Sequence, residues 1–357
     1  MILRNEKLEE LCEAIGLGEI DIFNPDHHEL INEQSIEQIL NQGGELTAIP
    51  PFEKHPYLEN IVCKNINGLM IGTFPPVSYL CDQLDFPNLT FNGNITPPDL
   101  PYFHGNYSSL WKYCPINFDY IRQFHRTEQP QQIKHALLER GIAYTDIISF
   151  CQRNLREKNG ISSYTAEDKL LNNIVLNVDV FPLIFNCPNI NRLYFTNASF
   201  FGSDNRNNYL FDRNGNYILD DRDAFRLFLK GANDSGYIIE IAKNEEPELW
   251  YNINEGPRPN AERRSLNQLI TTKIILKMRL SKDNNSKTLQ LYSAVSPAAV
   301  NRGMVRRNRC VINFREALHI GDANAPRELL KQVLLSFFEN SIDGMIKLAI
   351  TKPKPNL

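Results

Sequence analysis

A chain of 357 residues with 42% hydrophobic and 22% charged residues has the make-up of an ordinary globular protein, long enough for one elaborated domain or two smaller ones. Its formal net charge of -4 excludes a globally basic binder, so a nucleic-acid partner would have to be met by a local patch. No stretch reaches the ~18 consecutive apolar residues of a membrane span, and Met1 to Lys7 form no apolar leader, so a cytoplasmic protein with no membrane partner is expected.

Residues 1–60 read as a helical extension. Leu8, Leu11, Ala14 and Ile15 recur at helical spacing, and Ser35-Ile36-Glu37-Gln38 fits a capping box. Residues 61–357 then form one α/β domain. Leu69-Met70-Ile71 is a buried strand, and Gln131 to Arg140 is a helix stopped by Gly141. Thr145-Asp146-Ile147-Ile148 is a second strand, followed by a helix from about Ala166 to Leu176. Arg192 to Thr196 is a third strand and Thr288 to Tyr292 a fourth.

The last helix starts near Pro326 and carries Leu329, Leu330, Val333, Leu334, Phe337 and Phe338 on one face. Trp111 reads as core. Strands alternating with helices predict a three-layer α/β/α sandwich around a central, mostly parallel, four-stranded sheet. Residues 203–287 interrupt that rhythm. They read as a large insertion containing a helix after Asn260, with Lys273, Lys277 and Arg279 at its end.

Seven cysteines, Cys12, Cys63, Cys81, Cys114, Cys151, Cys187 and Cys310, lie singly, with no C-x-x-C pair. That spacing argues against zinc or an iron–sulfur cluster and suits a reducing compartment, so no metal and no cofactor are expected.

Ligands of open α/β sheets bind beyond the carboxyl ends of the strands. The segments there are Gly72-Thr73-Phe74-Pro75-Pro76, Ser149 to Arg153, Asn197 to Phe200, and Ser293 to Arg302, joined by the aromatic, polar stretch Tyr102 to Trp111. The G-T-F-P-P turn, the Y-F-x-G-x-x-x-x-x-W box, the T-D-I-I strand and the late S-x-x-S-P-A loop together resemble the uracil-DNA glycosylase superfamily. The likeness extends over residues 60–202 and 286–340 and leaves out the extension and the insertion.

The resemblance implies an enzyme that flips a modified or damaged base and hydrolyses its N-glycosidic bond, with DNA as partner and no cofactor. A bulky modified cytosine of phage DNA, and so an antiviral role, is one substrate it admits. The alternative is a DNA-binding protein that keeps the fold without the chemistry. A monomer is expected.

In the superfamily the third motif position supplies a water-activating Asp or Asn; here it is Phe74. The position matching the Asn that other branches carry in the second box is Ser108, with Asn106 two residues earlier. The candidate catalytic residues are therefore Asp146, His104 and Asn106, with Asp99 in the Pro97 to Pro101 turn a weaker alternative. Asp146 can accept a hydrogen bond from an exocyclic amine, or simply cap a turn or pair with Arg153.

Gly72, Thr73, Phe74, Tyr79, Phe103 and Ser108 are the candidate base pocket, the aromatic rings among them as stacking platforms. Ser296, Pro297, Val300 and Met304 resemble the family's minor-groove loop, with Val300 or Met304 as wedge. Arg302, Arg306, Arg307, Arg309 and Arg315 follow with no acid before Glu316, a local footprint for phosphates.

Overall fold

The computed structural model describes residues 52–55, 57–58, 61–74, 110–125, 128–153, 156–158, 161–163, 171–196, 210–219, 223–243, 250–254, 259–272, 274–294 and 309–341. In chain order the strands and helices are β1 (Phe52–Lys54), β2 (Gly68–Gly72), α1 (Leu110–Tyr113), α2 (Phe118–Ile121), α3 (Gln129–Glu139), β3 (Ile142–Asp146), β4 (Ile148–Arg153), β5 (Arg156–Lys158), β6 (Ile161–Ser163), β7 (Leu171–Leu176), α4 (Val180–Asn186) and β8 (Arg192–Phe195). There follow α5 (Ala224–Asp234), β9 (Ile238–Ala242), β10 (Trp250–Asn252), α6 (Asn260–Thr272), β11 (Ile275–Lys282), β12 (Asn285–Ser293), α7 (Arg309–Leu318) and α8 (Ala325–Glu339).

Three of the four expected strands are present at their places, whereas the expected strand Thr145–Ile148 straddles the end of β3 and the start of β4, with a bend at Ile147 between them. β3, β2, β8 and β12 run parallel in that order. β2 and β3 are buried along their whole length, as befits unbroken apolar runs covered on both faces. Leu69, Ile71, Leu193 and Phe195 point to one core with Phe181, Phe225 and Phe228 of α4 and α5. Met70, Tyr144, Tyr194 and Tyr292 point to the other, against Trp111, Phe314, Leu330 and Phe337. Helices thus cover both faces of the parallel part.

The sheet does not stop at four strands. The order is β10-β9-β11-β12-β8-β2-β3, a mixed sheet of seven in which β11, β9 and β10 continue antiparallel from β12. The insertion therefore extends the sheet. Lys277 and Arg279, read as the end of a helix, lie in β11: Met278 and Leu280 alternate with them and point into the core, giving a period of two.

Leu171 to Leu176, read as the end of a helix, is β7. It pairs antiparallel with β4, whose register shifts beside Phe150 break the simple alternation and leave a helix-like spacing of apolar residues. β1 completes this three-stranded sheet from within the segment read as helical extension. The helices expected around Leu8 and Ser35 lie outside the described residues.

Two cross-links organise the parallel part. Arg192, 1% exposed, begins β8 and donates from Nε to Phe337 O (2.5 Å) and from Nη2 to Phe338 O (3.3 Å), the last-turn carbonyls of α8. Its Nη2 and Nη1 also reach Asn67 Oδ1 (2.7 Å) and Asn191 Oδ1 (3.1 Å). Burial lowers its pKa from the usual guanidinium value, a cost met by acceptors alone.

The second link is a disulfide between Cys63 and Cys187, 124 residues apart, which corrects the reading of the cysteines as lone thiols and removes the argument for a reducing compartment. Among the described residues no helix is long and apolar enough to cross a membrane.

Arg192→Met, which keeps bulk and removes the donors, is expected to lower unfolding stability by about 3 kcal/mol because several carbonyls lose a charged partner. Urea denaturation followed by tryptophan fluorescence measures it; a change within about 0.5 kcal/mol rejects the clamp. Reduction of the disulfide is expected to cost up to about 4 kcal/mol in the same assay, and a doubly substituted Cys63→Ala/Cys187→Ala chain to become insensitive to reductant.

Candidate functional site

Parallel pairing brings the ends of β3, β2, β8 and β12 to one edge of the sheet. Thr73, Asp146, Thr196 and Ser293 are gathered there, all buried. The ladder continues one residue past the strands, with Thr196 N–H donating to Ile71 O (3.0 Å) and Ile147 N–H to Gly72 O (3.0 Å). Ile148 N–H also donates to Thr73 O (3.2 Å), so the carbonyls of Gly72 and Thr73 are both held by the chain that follows β3.

Asp146, 1% exposed, is the acidic centre of this edge, and two partners converge on it. His55, carried in by the β1–β4 pairing through His55 N–H to Ser149 O (2.9 Å), places Nε2 2.9 Å from Asp146 Oδ2. The Tyr57 N–H donates to His55 Nδ1 (3.0 Å), so Nδ1 accepts and Nε2 carries the proton facing the carboxylate. Asn177, just beyond β7, donates from Nδ2 to Asp146 O (2.9 Å) and Thr145 Oγ1 (3.2 Å). The small sheet β1-β4-β7 thus delivers both partners.

The second carboxylate oxygen is different. Asp146 Oδ1 is buried without a hydrogen bond from any described residue. It lies over the Cα of Gly72: a Cβ there would sit 2.2 Å from Oδ1 and 2.5 Å from Tyr144 Oη. Only glycine admits the carboxylate at this place. Burial raises the Asp146 pKa, while the hydrogen bond from His55 Nε2–H, the Gly72 N–H and the Tyr144 hydroxyl oppose the rise. A buried acid with one oxygen held and the other unsatisfied is poised to exchange a proton or grip a donor.

Phe74 is 8% exposed and packs edge-on against the His55 ring, centroids 5.4 Å apart. It walls the His55–Asp146 pair and belongs to the core cluster. Of the expected site residues, the structure brings Gly72, Thr73, Phe74 and Asp146 together. Tyr79, Asp99, Phe103, His104, Asn106, Ser108, Ser296, Pro297, Val300, Arg302, Met304, Arg306 and Arg307 lie outside the described residues, and Arg309 is described only as the first residue of α7.

Arg315, read as part of the basic run, is engaged by Asp322 (2.6 Å) and Glu316 (3.5 Å). Arg153, weighed as a partner for Asp146, is described by its backbone alone, and the described partner is His55. His55, Asn177 and Tyr144 escaped sequence reasoning. A lone histidine before Pro56 has no pattern, whereas Tyr144 lies two residues before Asp146 in the same strand, on the same face.

Among the described residues no cluster of histidine, cysteine and acid side chains is arranged to hold a metal. No protein-family model, curated protein or solved structure matches this chain.

The raised Asp146 pKa fixes the sign of a pH effect. The folded chain keeps this proton to higher pH than the unfolded chain does, so the contribution of Asp146 to stability falls as pH climbs above about 4 and levels off beyond the raised folded value. Asp146→Asn is therefore expected to gain stability relative to the parent chain between acid and neutral pH. Paired thermal melts across that range test it; a pH-independent difference rejects a buried carboxyl with a raised pKa.

Proposed function

We propose that this chain is a monofunctional DNA glycosylase, an enzyme that hydrolyses the N-glycosidic bond of a flipped base and leaves an abasic site. The observation that carries the reading is the meeting of the G-T-F stretch and the T-D strand end around one carboxylate oxygen, Asp146 Oδ1, that receives no hydrogen bond from a described residue. Both motifs support a likeness to the uracil-DNA glycosylase superfamily. The parallel run β3-β2-β8-β12 supports a fold of that kind, enlarged by the insertion.

In this reading Asp146 takes the role that Phe74 cannot. Water oxygen bonds to the anomeric carbon as the C–N bond breaks, its proton passes to Asp146 Oδ1, and the base departs with the bonding electrons and is then protonated. His55 touches neither water nor base, since both its ring nitrogens are engaged. It is a positioning residue that holds Oδ2, fixes the carboxylate plane and tempers the effect of burial. The basic run beginning at Arg302 suits the phosphates that flank a flipped, modified pyrimidine.

The engagement of both His55 nitrogens and the packing of Phe74 into the core also favour a second reading, a chain of this fold that binds DNA without cleaving it.

Duplexes carrying a panel of modified bases, incubated with the protein and then treated with alkali, separate the two. Strand breaks at one class of base are expected, lost in Asp146→Ala and reduced in His55→Ala. Arg306→Ala is expected to weaken binding uniformly and to lower the salt slope by about one phosphate. Tight binding with no break on any substrate rejects the enzyme and leaves the binding protein.

A further inference from the structure

The segment that leads into β2 is tied to a distant part of the chain. Cys63, partly buried between exposed Val62 and Lys64, is joined to Cys187, the fully buried residue that caps the end of α4. Ile61 and Cys63 belong to no strand or helix and pack only partly buried against the core. Tyr57, Ile61, Val62 and Lys64 form one wall of a cavity of about 280 Å³, faced by Leu137 and Leu138 of α3. From this wall the Tyr57 N–H donates to His55 Nδ1 (3.0 Å), which keeps the Nε2 proton of that ring on Asp146 Oδ2 (2.9 Å). The disulfide and the acidic centre are thus joined by one short stretch of chain.

The two cysteines differ in their surroundings. Cys63 is the residue of the pair that solvent reaches, and Lys64 beside it adds positive charge to the approach of a thiolate. At Cys187 the open carbonyls of the helix end oppose a negative sulfur. Lys287 Nζ lies on those carbonyls, donating to Ile184 O (2.5 Å) and Cys187 O (2.7 Å). Burial lowers the pKa of this ammonium, so an anion formed at Cys187 offsets a cost already present. The free cysteines among the described residues, Cys114, Cys151 and Cys310, are buried. Burial raises the Cys114 thiol pKa and pushes that of Cys310 up to about 12, so neither competes as a thiolate.

We propose that the Cys63–Cys187 disulfide is a redox switch, opened by a dithiol reductant, that controls how His55 is held on Asp146. A thiolate of the reductant bonds to Cys63 Sγ as the S–S bond breaks, and the bonding pair leaves on Cys187 Sγ beside Lys287. The second thiolate of the reductant then attacks the reductant's own sulfur in the mixed disulfide, which frees Cys63 and leaves the reductant as a disulfide. The two protons the reductant gave up pass to Cys63 and Cys187. Once open, the wall of Tyr57 and Ile61 to Lys64 is no longer tied to α4, and the N–H that fixes the His55 ring loses its support. Only the effect on turnover rests on the glycosylase reading; the switch itself is read without turnover.

The full chain with isotope-labelled histidine, reduced with dithiothreitol at neutral pH and reoxidised with glutathione disulfide, tests the proposal by nuclear magnetic resonance. Reduction is expected to leave the circular dichroism of a folded chain while the His55 signals move from the fixed Nε2-protonated form to those of a ring averaging its tautomers. Reoxidation is expected to restore them. Cys63→Ala/Cys187→Ala is expected to show the reduced-state signals with or without reductant. Lys287→Gln, which removes the charge and keeps a donor, is expected to slow reduction at least about threefold. The proposal is overturned by a disulfide that yields only when the chain unfolds, by His55 signals that are the same in the oxidised and the reduced folded chain, or by a Lys287→Gln chain reduced as fast as the parent. A chain that passes these tests and cleaves no base keeps the switch and loses the glycosylase.

Discussion

The buried guanidinium of Arg192 is the constraint on which the layered arrangement depends. A charge at 1% exposure is held, among the described residues, by carbonyl and amide oxygens with no carboxylate beside it, and those oxygens belong to β2's approach, β8 and the end of α8. Asn67 accepts from this guanidinium, and its N–H donates to Gly141 O, where φ of +68° closes α3 and turns the chain into β3. One side chain therefore fixes where two parallel strands begin, and a third follows through Gly141. The start of a strand also sets its end, and the relative position of Gly72 and Asp146 is inherited from this knot.

The same device recurs where the sheet is extended. Lys287 of β12 donates to Ile184 O (2.5 Å) and Cys187 O (2.7 Å) at the end of α4, and Lys282 of β11 donates to Ser235 O (2.9 Å) at the end of α5. Each cation satisfies carbonyls that a helix terminus leaves open and complements the negative end of its dipole. Each also attaches a helix to a neighbouring strand. Cations anchored on strands hold three helices by their carboxyl ends, so the packing of the layers is specified by polar contacts as well as by apolar area.

The sequence made the parallel strands and α8 legible for a physical reason: strands buried on both faces are continuous apolar runs, and α8 carries a broad apolar stripe. It hid β7, whose bulged pairing with β4 gives Leu171, Ile174 and Val175 a helical look, and β11, whose alternation around Lys277 and Arg279 was obscured by the preceding helix. Half of the candidate site was readable. Gly72, Thr73, Phe74 and Asp146 announce themselves by turn chemistry and strand position. His55 and the Cys63–Cys187 pairing depend on contacts 91 and 124 residues apart, which local pattern does not encode.

Arg192 and Asp146 lie at opposite ends of the parallel strands, and their environments differ in a telling way. Every nitrogen of the guanidinium has an acceptor, so its burial yields a fixed junction. The carboxylate is held by His55 on one oxygen, while the other receives no hydrogen bond from a described residue. A chain that can saturate a buried charge so fully at one end of its sheet has the means to do so at the other. That second oxygen sits where Gly72 alone clears the space and where burial raises the pKa of the carboxyl, an arrangement with an energetic cost. Such a cost is borne at sites that bind or react, and this one lies where parallel sheets place their ligands.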